Sequence, residues 1–221
     1  MKRYFHEELE NVRSHLMLMG EKAVENVNTT MRALLECDID RAEQVIKGDD
    51  EIDELETLID EEVARYVSLR SPVARDLRLL FVAIKVSHDL ERVGDEATSI
   101  CKRARKVFAS SGGNVDSLAN IPRMCEHAIG MLQDALFCFV EEEEERAYGI
   151  ILRDKQVDTL NRENFAYYIE EMKASPDSLH ACTEMIFISK SFERIADHAK
   201  NIAEQVYYLL TAESLKEALR E

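Results

Sequence analysis

Glycine and proline are scarce, at 7 and 3 of 221 residues. A many-stranded β protein needs far more turn punctuation, so this shortage argues against that class and favours long helices. Basic residues are the second deficit. Against 44 Asp and Glu stand 28 Lys and Arg, giving a formal charge of −16. Phosphate backbones are bound through clustered cations, so this balance argues against nucleic acid as a partner, and equally against unaided binding of a free anion. No CxxC spacing joins the five cysteines (Cys37, Cys101, Cys125, Cys138, Cys182), which read as reduced core thiols of a cytosolic protein. No apolar run is longer than Leu79 to Ile84, far short of a membrane span. The opening MKRYFHEELE turns acidic before any apolar stretch, so it does not read as a signal peptide. The expectation is a soluble cytoplasmic protein without a transmembrane segment.

What is present is helical periodicity. Phe5, Leu9, Val12, Leu16, Met19, Ala23, Val27, Met31 and Leu34 recur every three or four residues and predict one long amphipathic helix. Asp38 suits the N-cap of a second helix carrying Val45, Ile52, Leu55, Ile59, Val63 and Tyr66. Ser71-Pro72 reads as the cap and first position of a third, whose stripe runs from Ala83 to Val107. Ser110 to Asn114, SSGGN, has linker composition, and three further helices follow. Pro122 blurs the start of the fourth, the fifth runs to about Met172, and Ser175-Pro176 introduces the sixth.

The second three repeat the first. The third-helix stripe reappears displaced by 102, Ala83 becoming Met185 and Val107 becoming Leu209. DDEIDEL at 49–55 matches DKQVDTL at 154–160, and LERVGDEATSI at 90–100 matches FERIADHAKNI at 192–202. Amphipathic patterning alone aligns apolar stripes. It does not require matching Asp at 49/154, 53/158 and 95/197, Glu at 91/193 and Arg at 92/194. The chain therefore reads as an internal duplication in the all-α class: two tandem antiparallel three-helix bundles, residues 1–110 and 115–221.

Each copy carries two pairs of acids at i, i+4: Asp49/Asp53 with Glu91/Asp95, and Asp154/Asp158 with Glu193/Asp197. That spacing stacks both carboxylates on one helix face, where like charges repel. Asp49 and Asp154 fall where apolar stripes would continue, and the four acids of the third and sixth helices sit beside theirs. Near-core negative charge calls for a cation, and oxygen ligands suit hard ions such as Mg²⁺, Ca²⁺, Mn²⁺ or ferric iron. Acids are so common here that about nine such pairs are expected by chance, and solvated faces or pairing with Arg92 and Arg194 account for some. The duplicated set of four favours metal. His198 and Asn201, one residue and one turn past Asp197, are lesser candidate ligands, since Glu96 and Ser99 hold their places in the first copy. Glu141 to Glu145 reads as a solvated helix start. Lys102, Arg103, Arg105 and Lys106 suit the end of the third helix, with a docking patch as the alternative.

Catalytic patterns are lacking: no GxxxxGK[ST], no G-x-S-x-G, no HExxH, and no His with Glu three residues before it, as ferritin-like oxidases use. Asp177/His180 is the only acidic near-miss.

Two copies of Asp-xxx-Asp, one followed by LERVGD and the other by FERIADHAKNIAE, with SPVARDLR before the third helix, resemble the PhoU family over essentially the whole chain. These are regulators associated with the phosphate-specific ABC transporter. The resemblance implies multinuclear metal clusters, of iron or another hard divalent or trivalent cation, on E(D)xxxD motifs. Here those motifs fall at Glu91/Asp95 and Glu193/Asp197, with their partners in the second and fifth helices. It also implies a cytoplasmic homodimer, peripheral at the inner membrane through the transporter. Such a protein would restrain phosphate uptake and the starvation response by linking the transporter's ATPase to a sensor histidine kinase, and would not be an enzyme. Ala196 replaces a common Gly and Lys200 a common Thr, so the second site is expected to be weaker or differently occupied. The alternative is a carboxylate-bridged metal enzyme or metal store on a helical bundle.

Overall fold

The computed structural model describes residues 2–110 and 117–218, with side chains over 7–109 and 117–218. Its helices are α1 (Lys2–Glu36), α2 (Ile39–Gly48), α3 (Asp50–Arg70), α4 (Ala74–Ser110), α5 (Ile121–Glu141), α6 (Glu145–Ala174), α7 (Leu179–Thr211) and α8 (Leu215–Ala218). A 3₁₀ turn at Pro176–Ser178 precedes α7, and no strand occurs among the described residues. Phe5 falls outside the described side chains, and residues 111–116, which include 111–114 of the expected linker and the first two residues of the expected second bundle, fall outside the described residues.

Asp38 does cap α2, its Oδ1 accepting from Arg41 N at 2.9 Å. The expected second helix, however, is divided at Gly48–Asp49, where Ile52 N bonds back to Asp49 O in a 3₁₀ step of 2.9 Å. The cause lies in composition. Gly48 is a poor helix former, and the acids that follow repel within a helix but are stabilised in a first turn. Asp50, Glu51 and Asp53 occupy that first turn of α3. In the second copy Lys155 and Gln156 dilute the charge, and α6 runs unbroken.

Two other expectations are corrected. Ser71 does not open α4; it closes α3 in the left-handed region, φ 47° and ψ 65°. The Glu141–Glu145 run spans the α5–α6 connection, with Glu142 left-handed at φ 55° and its carboxylate paired with Arg13 and Arg75.

Ion pairs fix the helix directions. Glu8 meets Arg70 at 3.0 Å, His15 meets Glu62 at 2.9 Å, and Lys22 meets Glu51, so α1 and α3 run antiparallel. Asp154–Lys200 (2.8 Å) and Tyr148–Tyr207 (3.1 Å) orient α6 against α7 in the same sense. The result is two up-down-up three-helix bundles that share one core, with the stripes of α4 and α7 buried against each other. The α4–α7 seam is also antiparallel, as Asp89–His198 (2.8 Å), Glu96–Arg194 (3.0 Å) and Arg103–Glu184 (2.8 Å) show. The corresponding α1 and α5 run antiparallel too, with Gly20 against Leu136 and Arg13 over Phe139. Equivalent helices paired antiparallel relate the two copies by a pseudo-twofold axis through the middle of the α4–α7 seam.

Four cysteines are buried; Cys37, at φ 52° just past α1, is only half-buried. Burial pushes the thiols of Cys101 and Cys125 up to about 11 and about 12, leaving them protonated packing groups.

Candidate functional site

Antiparallel packing of α3 on α4 sets Asp49, Asp53 and Glu56 opposite Asp95, Glu91 and His88. Asp49 sits at the break before α3 and is drawn close by Gly94, where a Cβ would stand 2.9 Å from Asp49 Oδ1. Burial raises the Asp49 carboxyl above its usual range; Thr98 opposes this, while Asp53 and Asp95 add repulsion. Glu91, its side chain 13% exposed, is pushed up to about 7 by burial first and then by Asp95, against the opposing charge of Arg92. Its Oε2 lies 3.0 Å from Arg92 Nε but without the geometry of a hydrogen bond. Asp95 is half-exposed and bonds Arg92 at 2.7 Å.

The structure adds two residues that the spacing rules overlooked. Glu56 Oε1 lies 3.2 Å from His88 Nδ1, and Glu56, His88 and Glu91 each offer a ligand atom within 4.8 Å of the others. The signal was present in the sequence: Glu56 stands three residues after Asp53 and His88 three before Glu91, each on the face already chosen. Five carboxylates and an imidazole thus line one α3–α4 face.

This set fits a hard or borderline divalent ion. Its donors are mostly carboxylate oxygens, one nitrogen is available, and Thr98, 4% exposed, sets a buried hydroxyl beside Asp49. Gly94 supplies the space that brings Asp49 in.

The second cluster differs. Asp154 is buried, and burial raises its carboxyl above the usual range, with Lys200 opposing and Asp197 and Asp158 adding. Lys200 Nζ donates to Asp154 Oδ2 and to Asp197 Oδ1, each at 2.8 Å. Burial alone would lower the Lys200 pKa; the two carboxylates outweigh it and hold the ammonium protonated. Glu193, largely buried, accepts from Lys190 at 2.6 Å.

His198 and Asn201 do not join this cluster. Both engage Asp89 of α4, at 2.8 and 3.4 Å, and so stitch the seam between the bundles. Three of the four basic residues at the end of α4 are tied internally: Arg103 and Lys106 hold buried Glu184, and Arg105 pairs with Glu43, while Lys102 is exposed.

Comparison with known proteins gives a concordant picture. The family model for the PhoU domain matches twice, at residues 16–104 and 121–206. A phosphate-specific transport system accessory protein PhoU homolog of Pseudomonas putida is 36% identical over 206 residues, 93% of this chain and 80% of that one. The Escherichia coli accessory protein PhoU is 32% identical over 216 residues, covering 96% and 87%. The crystal structure of PhoU from Pseudomonas aeruginosa superposes with a TM-score of 0.90 at 35% identity, covering 95% of this chain and all of that one. The phosphate transport system regulatory protein PhoU from Streptococcus pneumoniae gives 0.86 at 27% identity, covering 96% and 99%.

Proposed function

The chain belongs to the PhoU domain family, and we propose that it is a metal-binding, non-enzymatic regulator of phosphate transport. In this reading it restrains phosphate uptake and the phosphate-starvation response by coupling the ATPase subunit of a phosphate ABC transporter to a sensor histidine kinase. It works in the cytoplasm, reaches the membrane through the transporter, and forms a homodimer. Two observations are consistent with that setting: relatives along nearly the whole chain are named as accessory proteins of phosphate transport, and no helix among the described residues is long and apolar enough to cross a membrane.

The observation that carries the metal part is the α3–α4 face. Asp49, Asp53, Glu91 and Asp95, joined by Glu56 and His88, would hold the ion, a multinuclear iron cluster or another hard cation. Bound metal would supply positive charge to a surface that otherwise repels anionic groups. Meanwhile Gly94 lets Asp49 in, and Arg92 orients Asp95.

The test is elemental analysis of protein purified without chelator and after reconstitution with Mn²⁺. It is paired with binding of the transporter ATPase and of the kinase's cytoplasmic part to an immobilised full chain. Metal retained by the wild type and lost in a folded Glu91→Gln/Asp95→Asn variant, with weaker partner binding, is the expected result. A wild type that takes up no metal removes the metal reading, and one that captures neither partner removes the coupling role.

A further inference from the structure

The two acidic clusters are related by the repeat, yet they are balanced by different means. At a displacement of 102, Lys190 of the second copy stands where His88 stands in the first, and Lys200 where Thr98 stands. Lys190 donates to Glu193 at 2.6 Å, and Lys200 bridges Asp154 and Asp197 at 2.8 Å to each. Among the described residues, the corresponding acids of the first copy, Glu91, Asp49 and Asp95, have only Arg92 within ion-pair distance, and it touches Glu91 and Asp95 but not Asp49, on which Lys102 acts from farther away. Side chains able to ligate a metal, an imidazole and a hydroxyl, occupy the two lysine positions there. Thr98 is buried with its hydroxyl beside the Asp49 carboxylate.

We propose that this chain has a single ion-binding acidic cluster, in its first half, and that the ammoniums of Lys190 and Lys200 permanently fill the place of the ion in the second.

The geometry supports the substitution. An ammonium donates up to three hydrogen bonds to oxygens arranged around a point, as a small cation is ligated by them. An ion held by Asp154 and Asp197 would need the oxygens that Lys200 already engages, and it would lie against a fixed like charge. Lys200 is also tethered one turn from Asp197 on the same helix, so its local concentration cannot be diluted or chelated away. Ala196, at the position of Gly94, further separates the two sites: the first copy leaves room at that position, whereas the second carries a Cβ there. The inference rests on reading the first cluster as a metal centre only for its first half. The lysine occupancy of the second half is tested separately.

Full-length protein is equilibrated with Mn²⁺ and desalted, and bound metal is measured in wild type, Glu91→Gln/Asp95→Asn, Asp154→Asn/Asp197→Asn and Lys190→His/Lys200→Thr, each checked for helicity. The wild type and Asp154→Asn/Asp197→Asn are expected to bind equal amounts. The lysine variant should bind about twice as much, and should lose the excess when Asp154→Asn/Asp197→Asn is added. In chelator its melting temperature should fall below that of the wild type, and Mn²⁺ should restore it. Loss of Mn²⁺ from Asp154→Asn/Asp197→Asn in the wild-type background overturns the proposal without needing the lysine variant to fold. A folded lysine variant that binds no more than the wild type overturns it as well. Should the wild type bind none while the lysine variant gains metal, the first-cluster reading fails and the lysine occupancy stands.

Discussion

Oδ1 of Asp49 lies 2.9 Å from the point where a Cβ on Gly94 would stand, and Ile52 Cδ1 lies 3.1 Å from it. Glycine inside a helix costs roughly 1 kcal/mol relative to alanine, so its presence in α4 calls for a local reason, and the Asp49 carboxylate is that reason. Gly94→Ala should leave the melting temperature almost unchanged, since the propensity gain offsets the push on Asp49. Mn²⁺ affinity should drop about tenfold, equivalent to roughly 1.4 kcal/mol. Isothermal titration decides the matter: unaltered affinity would mean that Asp49 is not a ligand.

Ser71 closes α3 with φ 47° and ψ 65°. A left-handed conformation costs an ordinary residue roughly 1–2 kcal/mol, and glycine returns about 0.5–1 of that as unfolded-chain entropy. Ser71→Gly should therefore stabilise the protein by about 0.5 kcal/mol, a rise in Tm of about 1–2 °C. Calorimetry showing a lower Tm would contradict this account of the α3–α4 turn.

Asn164 is buried at the centre of a polar network in the second bundle. Its Oδ1 accepts from Asn120 N at 2.9 Å, and its Nδ2 donates to Ser189 Oγ at 2.9 Å, which in turn donates to Asn161 Oδ1 at 2.9 Å. Asn164→Ala removes the acceptor of a backbone N–H at the start of α5 and the amide donor to Ser189 Oγ. The expected loss is about 2–3 kcal/mol, against about 1 kcal/mol for Ser189→Ala. Urea unfolding should show a lower midpoint at constant slope.

Glu184 of α7 is buried and held by Arg103 at 2.8 Å and Lys106 at 3.3 Å. Burial would raise its pKa, but the two cations outweigh burial and set it below the usual value. A folded pKa below the unfolded one means that the pair stabilises the protein fully above about pH 4.5 and ceases to do so as pH falls through the folded value. Glu184→Gln should cost about 1–3 kcal/mol at pH 7 and progressively less as the pH drops below about 4. Equal deficits at both pH values in urea titrations would trace the loss to packing rather than charge.

The long stripes were fully legible in the sequence, because 3.6-residue periodicity is set by burial. Every residue of the Ala83–Val107 row is buried, and the matching row from Met185 is buried through Val206. Periodicity does not register a helix that stops and restarts within one apolar stripe, so the break at Gly48–Asp49 leaves no mark in it. Ser71-Pro72 fits a helix start by residue type, yet Ser71 adopts a left-handed end, a choice made by the α3–α4 turn rather than by Ser71 itself. The i, i+4 rule found Glu91 and Asp95 but looked in only one direction, missing His88 and Glu56, which lie three residues away on the same face. His198 stands next to Asp197 in the chain, but a helix turns about 100° per residue, and Asn201, one turn further on, bonds away from the cluster. Their partner is Asp89 across the seam.

The pseudo-twofold axis through the α4–α7 seam has a consequence for how such a molecule can be approached. In a dimer of one-repeat chains, both ion sites would be encoded by the same codons and would change together. Fusion into one chain uncouples them, so His88 and Thr98 on one side can coexist with Lys190 and Lys200 on the other. A body that is twofold in shape is thereby made polar in chemistry. A partner lying across the seam would meet two unlike ends, and only one of its two shape-compatible orientations would bring it over the end without fixed ammoniums.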